Sequence, residues 1–91
     1  MPYITCDIRR GRSGSQIAGL MRAITGAVCQ ITGDPPEAVL VLVREHAGDH
    51  FMEDGELLQD YIGGADGEDV VAKAALARRT RAPKPPISVG K

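Results

Sequence analysis

Tryptophan is absent from this chain, and Tyr3, Phe51 and Tyr61 are its only aromatic residues in 91 positions. Aromatic side chains supply much of the burial in small cores, so aliphatic residues must fill whatever core forms here. No apolar run is long enough for a secretory leader or a membrane span, and the expected location is the cytoplasm, with no membrane partner. Cys6 and Cys29 are too few for a disulfide framework. Each falls in an apolar stretch, where a buried, reduced thiol is expected. His46 and His50 lie four apart in a region that need not be helical, so no metal site is expected, and no cofactor is expected either. The net charge of −1 gives no general attraction for nucleic acid, and the basic tail carries no interleaved stacking aromatic that would argue for it.

What is present is one small domain. The last third is too polar to add much core, which leaves roughly 60 residues to bury apolar surface, a size at which isolated domains are marginal. Partner subunits are therefore expected to supply the missing burial. Charge is strongly segregated along the chain. Positions 1 to 44 hold five bases and three acids, 45 to 69 hold nine acids and no Lys or Arg, and 71 to 91 hold six bases and no acid. Such a pattern predicts that the acidic middle pairs with basic surfaces of its own chain or of a neighbour.

The first strand alternates Ile4, Cys6 and Ile8 with Tyr3, Thr5, Asp7 and Arg9, so one face should pack while the other stays partly polar. Gly11 ends it. Ser13 reads as a helix N-cap, and Gln16 three residues later completes the reciprocal capping box. Ile17, Leu20, Met21, Ile24, Val28 and Ile31 then recur at spacings of three and four, which predicts one apolar stripe over four to five helical turns. Gly33-Asp34-Pro35-Pro36 stops that helix. The run Val39 to Val43 is apolar at every position, as suits a strand covered on both faces and parallel to the first across a right-handed helical crossover. Residues 47–56 should form a loop or short hairpin, and Leu57 to Ile62 an edge or packing arm. Gly63 to Gly67 reads as a flexible joint. The expected division is a β-α-β domain over 1–62 and a basic extension over 63–91, with Asp69 capping a brief helix at 69–79 and a partly disordered tail from Arg81.

Two places carry candidate chemistry. Pro2 becomes a secondary amine if Met1 is removed, and α-amino groups titrate near pH 7.7–8.0, where they exchange protons under ordinary conditions. Arg9, Arg10 and Arg12 put three cations within four residues, enough to hold a carboxylate, although arginines that end a strand are most often solvated surface. Glu53 reads either as a solvated loop acid or as a general base, and Phe51 as core or pocket wall.

Taken together, these residues resemble the tautomerase superfamily built on an amino-terminal proline, over about positions 2 to 62. Pro2, Gly11-Arg12-Ser13 opening the helix, and Glu45 with His50-Phe51 are similar to the 4-oxalocrotonate tautomerases, although Leu40 stands where those enzymes carry a further arginine. The strand with Cys6-Asp7, the pair Arg9 and Arg12, Arg44-Glu45, Phe51-Met52-Glu53 and Asp60-Tyr61 with a tail beyond are closer to the α subunit of the trans-3-chloroacrylic acid dehalogenases. The resemblance implies an α+β fold of parallel strands, one long crossover helix and a short C-terminal hairpin, assembled as a homohexamer or as a heterohexamer with a β-like subunit. It implies hydrolytic dehalogenation or hydration of a small unsaturated carboxylate, yielding malonate semialdehyde from a 3-halo acrylate. Arg9 and Arg12 would bind the substrate carboxylate, Glu53 would activate water and Pro2 would donate a proton, with Leu40 and Phe51 against the substrate. Alternatives are a keto-enol isomerase with Pro2 as base, and a heterohexamer subunit that is either non-catalytic or lends residues to a site whose working proline lies on a partner.

Overall fold

The computed structural model describes residues 1–81, so most of the tail expected from Arg81 onward lies outside the described residues. It contains β1 (Tyr3–Arg9), α1 (Gly14–Thr32), a 3-10 turn (Pro36–Ala38), β2 (Leu40–His46), a second 3-10 turn (Gly48–His50), β3 (Met52–Glu53), β4 (Glu56–Leu57) and α2 (Val70–Arg81). These form two compact units. One comprises Met1–Ile8 and Arg12–His46; the other comprises Arg9–Gly11 and the chain from Ala47 onward. The boundary expected at 62 falls inside the second unit. Among the described residues no helix is long and apolar enough to cross a membrane.

In the first unit β1 and β2 are neighbours. Leu40 N donates to Pro2 O at 3.1 Å near the start of both strands, and Arg44 Nε donates to Asp7 Oδ1 at 2.9 Å near the end of both. Pairing that advances in the same direction along each strand is parallel, and α1 is the crossover between them, lying against β2. The helix starts where its capping residues predict. Ser13 Oγ accepts from Gln16 N at 3.2 Å while Gln16 Oε1 accepts from Ser13 N at 2.9 Å, which satisfies two donors at the helix start. Gly33, with φ of 80°, ends it by donating its N–H to Cys29 O at 2.9 Å.

Three expectations about burial are corrected here. Ile17, Leu20, Met21, Ile24 and Val28 are half-buried, but Ile31 is 84% exposed, so the apolar stripe ends a turn before the helix does. In β2, Val41 and Val43 are half-buried whereas Leu40 and Leu42 are exposed. One crossover helix covers one face of a two-stranded sheet. The opposite face, which also presents Tyr3 at 68% exposure, is left open by the first unit. Cys6 and Cys29 are free and half-buried, not fully enclosed.

The second unit is built around a hairpin. Met52 pairs with Leu57 and Glu53 with Glu56 in antiparallel register, joined by Asp54-Gly55 with φ of 55° and 77°. Two consecutive left-handed residues give a turn whose twist matches the flanking strands, and Asp-Gly is among the dipeptides that favour it. Gly48 N donates to Asp60 Oδ1 at 2.7 Å, and a Cβ at Gly48 would run into the backbone of Gln59 and Asp60. The stretch expected to be a flexible joint is instead a closed turn. Val70 N donates to Ile62 O at 3.1 Å, Gly64 N to Glu68 O at 2.9 Å, and the Tyr61 hydroxyl to Gly67 O at 2.6 Å. Asp69 then caps α2, its Oδ1 accepting from Ala72 N at 3.1 Å.

Because the capping box ties down the start of α1, Ser13→Ala is expected to lower stability by about 1 kcal/mol. Chemical denaturation should show the loss as a lower midpoint with an unchanged slope.

Candidate functional site

Of the residues singled out above, Pro2, Arg12 and Leu40 lie in the first unit and Arg9, Phe51 and Glu53 in the second. Pro2 is half-buried just before β1, its carbonyl engaged by Leu40 N. That bond fixes the proline against the start of β2 while leaving its nitrogen outside the sheet pairing. Arg12 is half-buried and immediately precedes the Ser13 cap, so the start of α1 sets its backbone. Leu40 is 43% exposed on the open face of the sheet.

The same unit holds a charged cluster at the far end of its strands. Arg44 grips Asp7 with both Nε, at 2.9 Å from Oδ1, and Nη2, at 3.0 Å from Oδ2. His46 Nε2 lies 2.7 Å from Asp7 Oδ1. The hydrogen bond with His46, followed by that with Arg44, holds the Asp7 carboxyl below the ordinary carboxylate range. A lowered pKa in the folded state stabilises the fold above the unfolded-state value, near pH 3.9, and that contribution is lost as pH falls through the lower folded value. A 13C-detected titration should therefore place the Asp7 midpoint below 3.9, and Asp7→Asn should flatten the acid limb of a stability profile.

In the second unit Arg9 departs from its expected place on a partly polar face. It is 7% exposed, covered by the segment from Gln59 to Asp69. Its Nη1 donates to Gln59 O at 2.5 Å and its Nη2 is ion-paired with Asp69 Oδ2. Arg10, by contrast, is exposed and lies 3.5 Å from Asp60 Oδ2 through its Nε. Tyr61 N donates to Arg10 O at 2.6 Å, which holds the end of β1 against that segment.

Glu53, in β3, is 61% exposed. Arg79 of α2 reaches it twice, Nη1 donating to Oε1 at 2.6 Å and Nη2 to Glu53 O at 2.9 Å. Arg79 is only 14% exposed, and its Nε lies 3.5 Å from Asp54 Oδ2 and 4.0 Å from Glu56 Oε2. The hydrogen bond to Glu53 raises the pKa of Arg79 further above its ordinary value. Arg78 adds a bond from Nη2 to Glu56 Oε1 at 2.6 Å. The acidic middle of the chain is thus met by basic residues of α2.

Arg9 and Glu53 therefore share a feature that motif reading did not find. Each is held by a side chain from residues 69–79, Asp69 in one case and Arg79 in the other. Charge segregation pointed to pairing of this kind but named no partners. Beside α2 a cavity of about 340 Å³ is lined by Leu57, Leu58, Ile62, Val70, Ala74 and Arg78 among others, and neither Glu53 nor Phe51 borders it.

A family model for tautomerase enzymes matches residues 2–61. This chain belongs to the tautomerase family. The match ends where the turn leading to α2 begins, so Asp69 and Arg79 lie beyond it. The 2-hydroxymuconate tautomerase of Bacillus subtilis is 35% identical over 60 residues, covering 66% of this chain and 97% of that enzyme. Among solved structures, a trans-3-chloroacrylic acid dehalogenase inactivated by 3-bromopropiolate is 38% identical, with a TM-score of 0.63, over 67% of this chain and all of that one. N2, a member of the 4-oxalocrotonate tautomerase family, is 42% identical with a TM-score of 0.65, over 70% of this chain and all of its own. The tautomerase fold, with its parallel β1 and β2 and crossover α1, is therefore common to this chain and these structures.

Arg79 is expected to hold β3 and α2 together. Arg79→Ala should speed amide hydrogen exchange in both the Met52–Leu57 hairpin and the last turns of α2, whereas exchange in α1 should be unchanged.

Proposed function

We propose that this chain is a cofactor-independent enzyme that adds water to a small unsaturated 3-halo carboxylate such as trans-3-chloroacrylate and releases malonate semialdehyde. The observation that carries the reading is the 38% identity to a trans-3-chloroacrylic acid dehalogenase across two thirds of the chain, in a sequence that has Arg9, Arg12 and Glu53 together and Leu40 in place of a further arginine.

The residue types suit the chemistry. Guanidinium forks bind and partly neutralise a carboxylate, which favours addition at the far end of the conjugated double bond. Arg12 and Arg9 take that role. Glu53, an exposed carboxylate, accepts a proton from water as its oxygen bonds to C3. Pro2, once Met1 is removed, is a secondary ammonium that gives its proton to C2. The resulting 3-halo-3-hydroxypropanoate loses halide and the hydroxyl proton to leave the aldehyde. Phe51 and Leu40 supply apolar surface beside the substrate.

We also propose an oligomer, homohexameric or completed by a β-like subunit. The open face of β1 and β2, with Tyr3, Leu40 and Leu42 exposed, supports it. A small unit gains the burial that its own core does not supply by covering such a face with another chain.

The tautomerase reading has its own support in the 2-hydroxymuconate tautomerase relative. There Pro2 would act as a neutral base. The two readings predict opposite pH limbs. If Pro2 donates a proton, kcat/KM falls as pH rises through its pKa; if Pro2 abstracts one, kcat/KM rises across the same range.

Proton NMR of trans-3-chloroacrylate with the mature chain is expected to show malonate semialdehyde. Glu53→Gln should lower kcat by about 100-fold or more, and retention of Met1 should abolish turnover by removing the amine. Ketonisation of a dienol acid without dehalogenation would replace the first reading by the second.

A further inference from the structure

We propose that Asp69 is a specificity-determining residue whose carboxylate occupies Arg9 in place of a substrate carboxylate, so that an incoming acid must compete with this internal one. The inference rests on the role given to Arg9 in the proposed function and deepens it. Asp69 Oδ2 is paired with Arg9 Nη2, and Gln59 O takes Nη1 at 2.5 Å. Arg9 is 7% and Asp69 19% exposed, so the pair is largely withdrawn from water. Both terminal nitrogens of the Arg9 guanidinium are thus engaged by the chain itself, Nη2 by a carboxylate.

The other oxygen of Asp69 shows why this arrangement persists. Oδ1 accepts from Ala72 N at 3.1 Å and caps α2. Asp69 is further tied by its backbone bridge to Gly63. Residues 63–79, which lie beyond the family match, thereby set how readily the arginine at the end of β1 takes an outside anion. A substrate that displaces Asp69 exchanges one charge-assisted pair for another, which weakens its net binding relative to an unoccupied arginine.

Asparagine separates the two duties of Asp69. It caps helices as well as aspartate does but carries no charge. Propionate, a saturated monocarboxylate that cannot be hydrated, serves as the probe, titrated by NMR into the full mature chain. Asp69→Asn is expected to bind it about tenfold more tightly than the unchanged chain, in line with the strength of a hydrogen bond to a charged group. Propionate should also raise the Tm of that variant more than it raises that of the unchanged chain. Adding Arg9→Gln to Asp69→Asn should remove the gain. Equal or weaker propionate binding by Asp69→Asn, or a gain that survives Arg9→Gln, would overturn the inference. Should the asparagine variant fail to fold, Asp69→Ser keeps an acceptor at the cap and poses the same test. Because propionate does not react, the titration is independent of turnover. Tighter binding by Asp69→Asn with no conversion of any unsaturated acid would remove the proposed reaction and leave this inference standing.

Discussion

A guanidinium withdrawn from water has to be neutralised, and much of the second unit is arranged to do that for Arg9. Removing one partner from a buried ion pair typically costs about 3–5 kcal/mol, because a bare charge remains inside. The partners come from the two ends of one stretch of chain, the carbonyl of Gln59 and the carboxylate of Asp69. Everything between them must turn back on itself. The Tyr61 hydroxyl on Gly67 O and the paired backbone of Ile62 with Val70 close that turn. Asp69 reaches Arg9 and caps α2 with the same side chain, so the position of the helix start follows from the position of the arginine.

The far end of α2 depends on a different kind of charge. Arg79 and Arg78 meet Glu53, Asp54 and Glu56 around the tight Asp54-Gly55 turn, which concentrates acids at one hairpin. A single exposed pair is worth little. Several acids around one mostly covered guanidinium are better placed, because the side-chain entropy of ordering Arg79 is lost once for several partners. The helix is therefore fastened at both ends by ionic contacts, with a cavity beside it. Such fastening also restrains Glu53, whose proposed work on water depends on where its carboxylate points.

Local chemistry made much of this legible in the sequence. Ser13 and Gln16 mark the start of α1 because the capping box is satisfied within four residues, and Gly33 before Pro35-Pro36 marks its end for equally local reasons. Asp69 was recognisable as a cap on the same grounds. Burial was less legible, since it depends on what lies opposite. The unbroken apolar run at Val39 to Val43 suggested two covered faces, whereas α1 covers one and leaves Leu40 and Leu42 exposed. Arg9 was misplaced for the same reason. Strand parity sets its direction, but only the return of residues 59–69 decides that it is covered. The pairings of Asp69 with Arg9 and Arg79 with Glu53 span 60 and 26 residues, and no local pattern specifies such partners.

The proposed mechanism asks opposite things of two charged groups. Arg9 must hold an anion tightly enough to polarise a double bond, and Glu53 must remain basic enough to take a proton from water. Pairing Arg9 with Asp69 moderates its hold, since an occupied guanidinium attracts a substrate less, and the bond from Arg79 fixes where the Glu53 carboxylate points. In the proposed mechanism Arg12 is the second carboxylate-binding arginine, and it belongs to the first unit. On the proposed reading it gives the substrate its first hold, and Arg9 adds its charge only to an acid that outcompetes Asp69. Selectivity would then come from that competition, because an anion that binds weakly at Arg12 leaves the internal pair intact. The same sequence that closes the second unit thus sets a threshold for the chemistry proposed at its arginine.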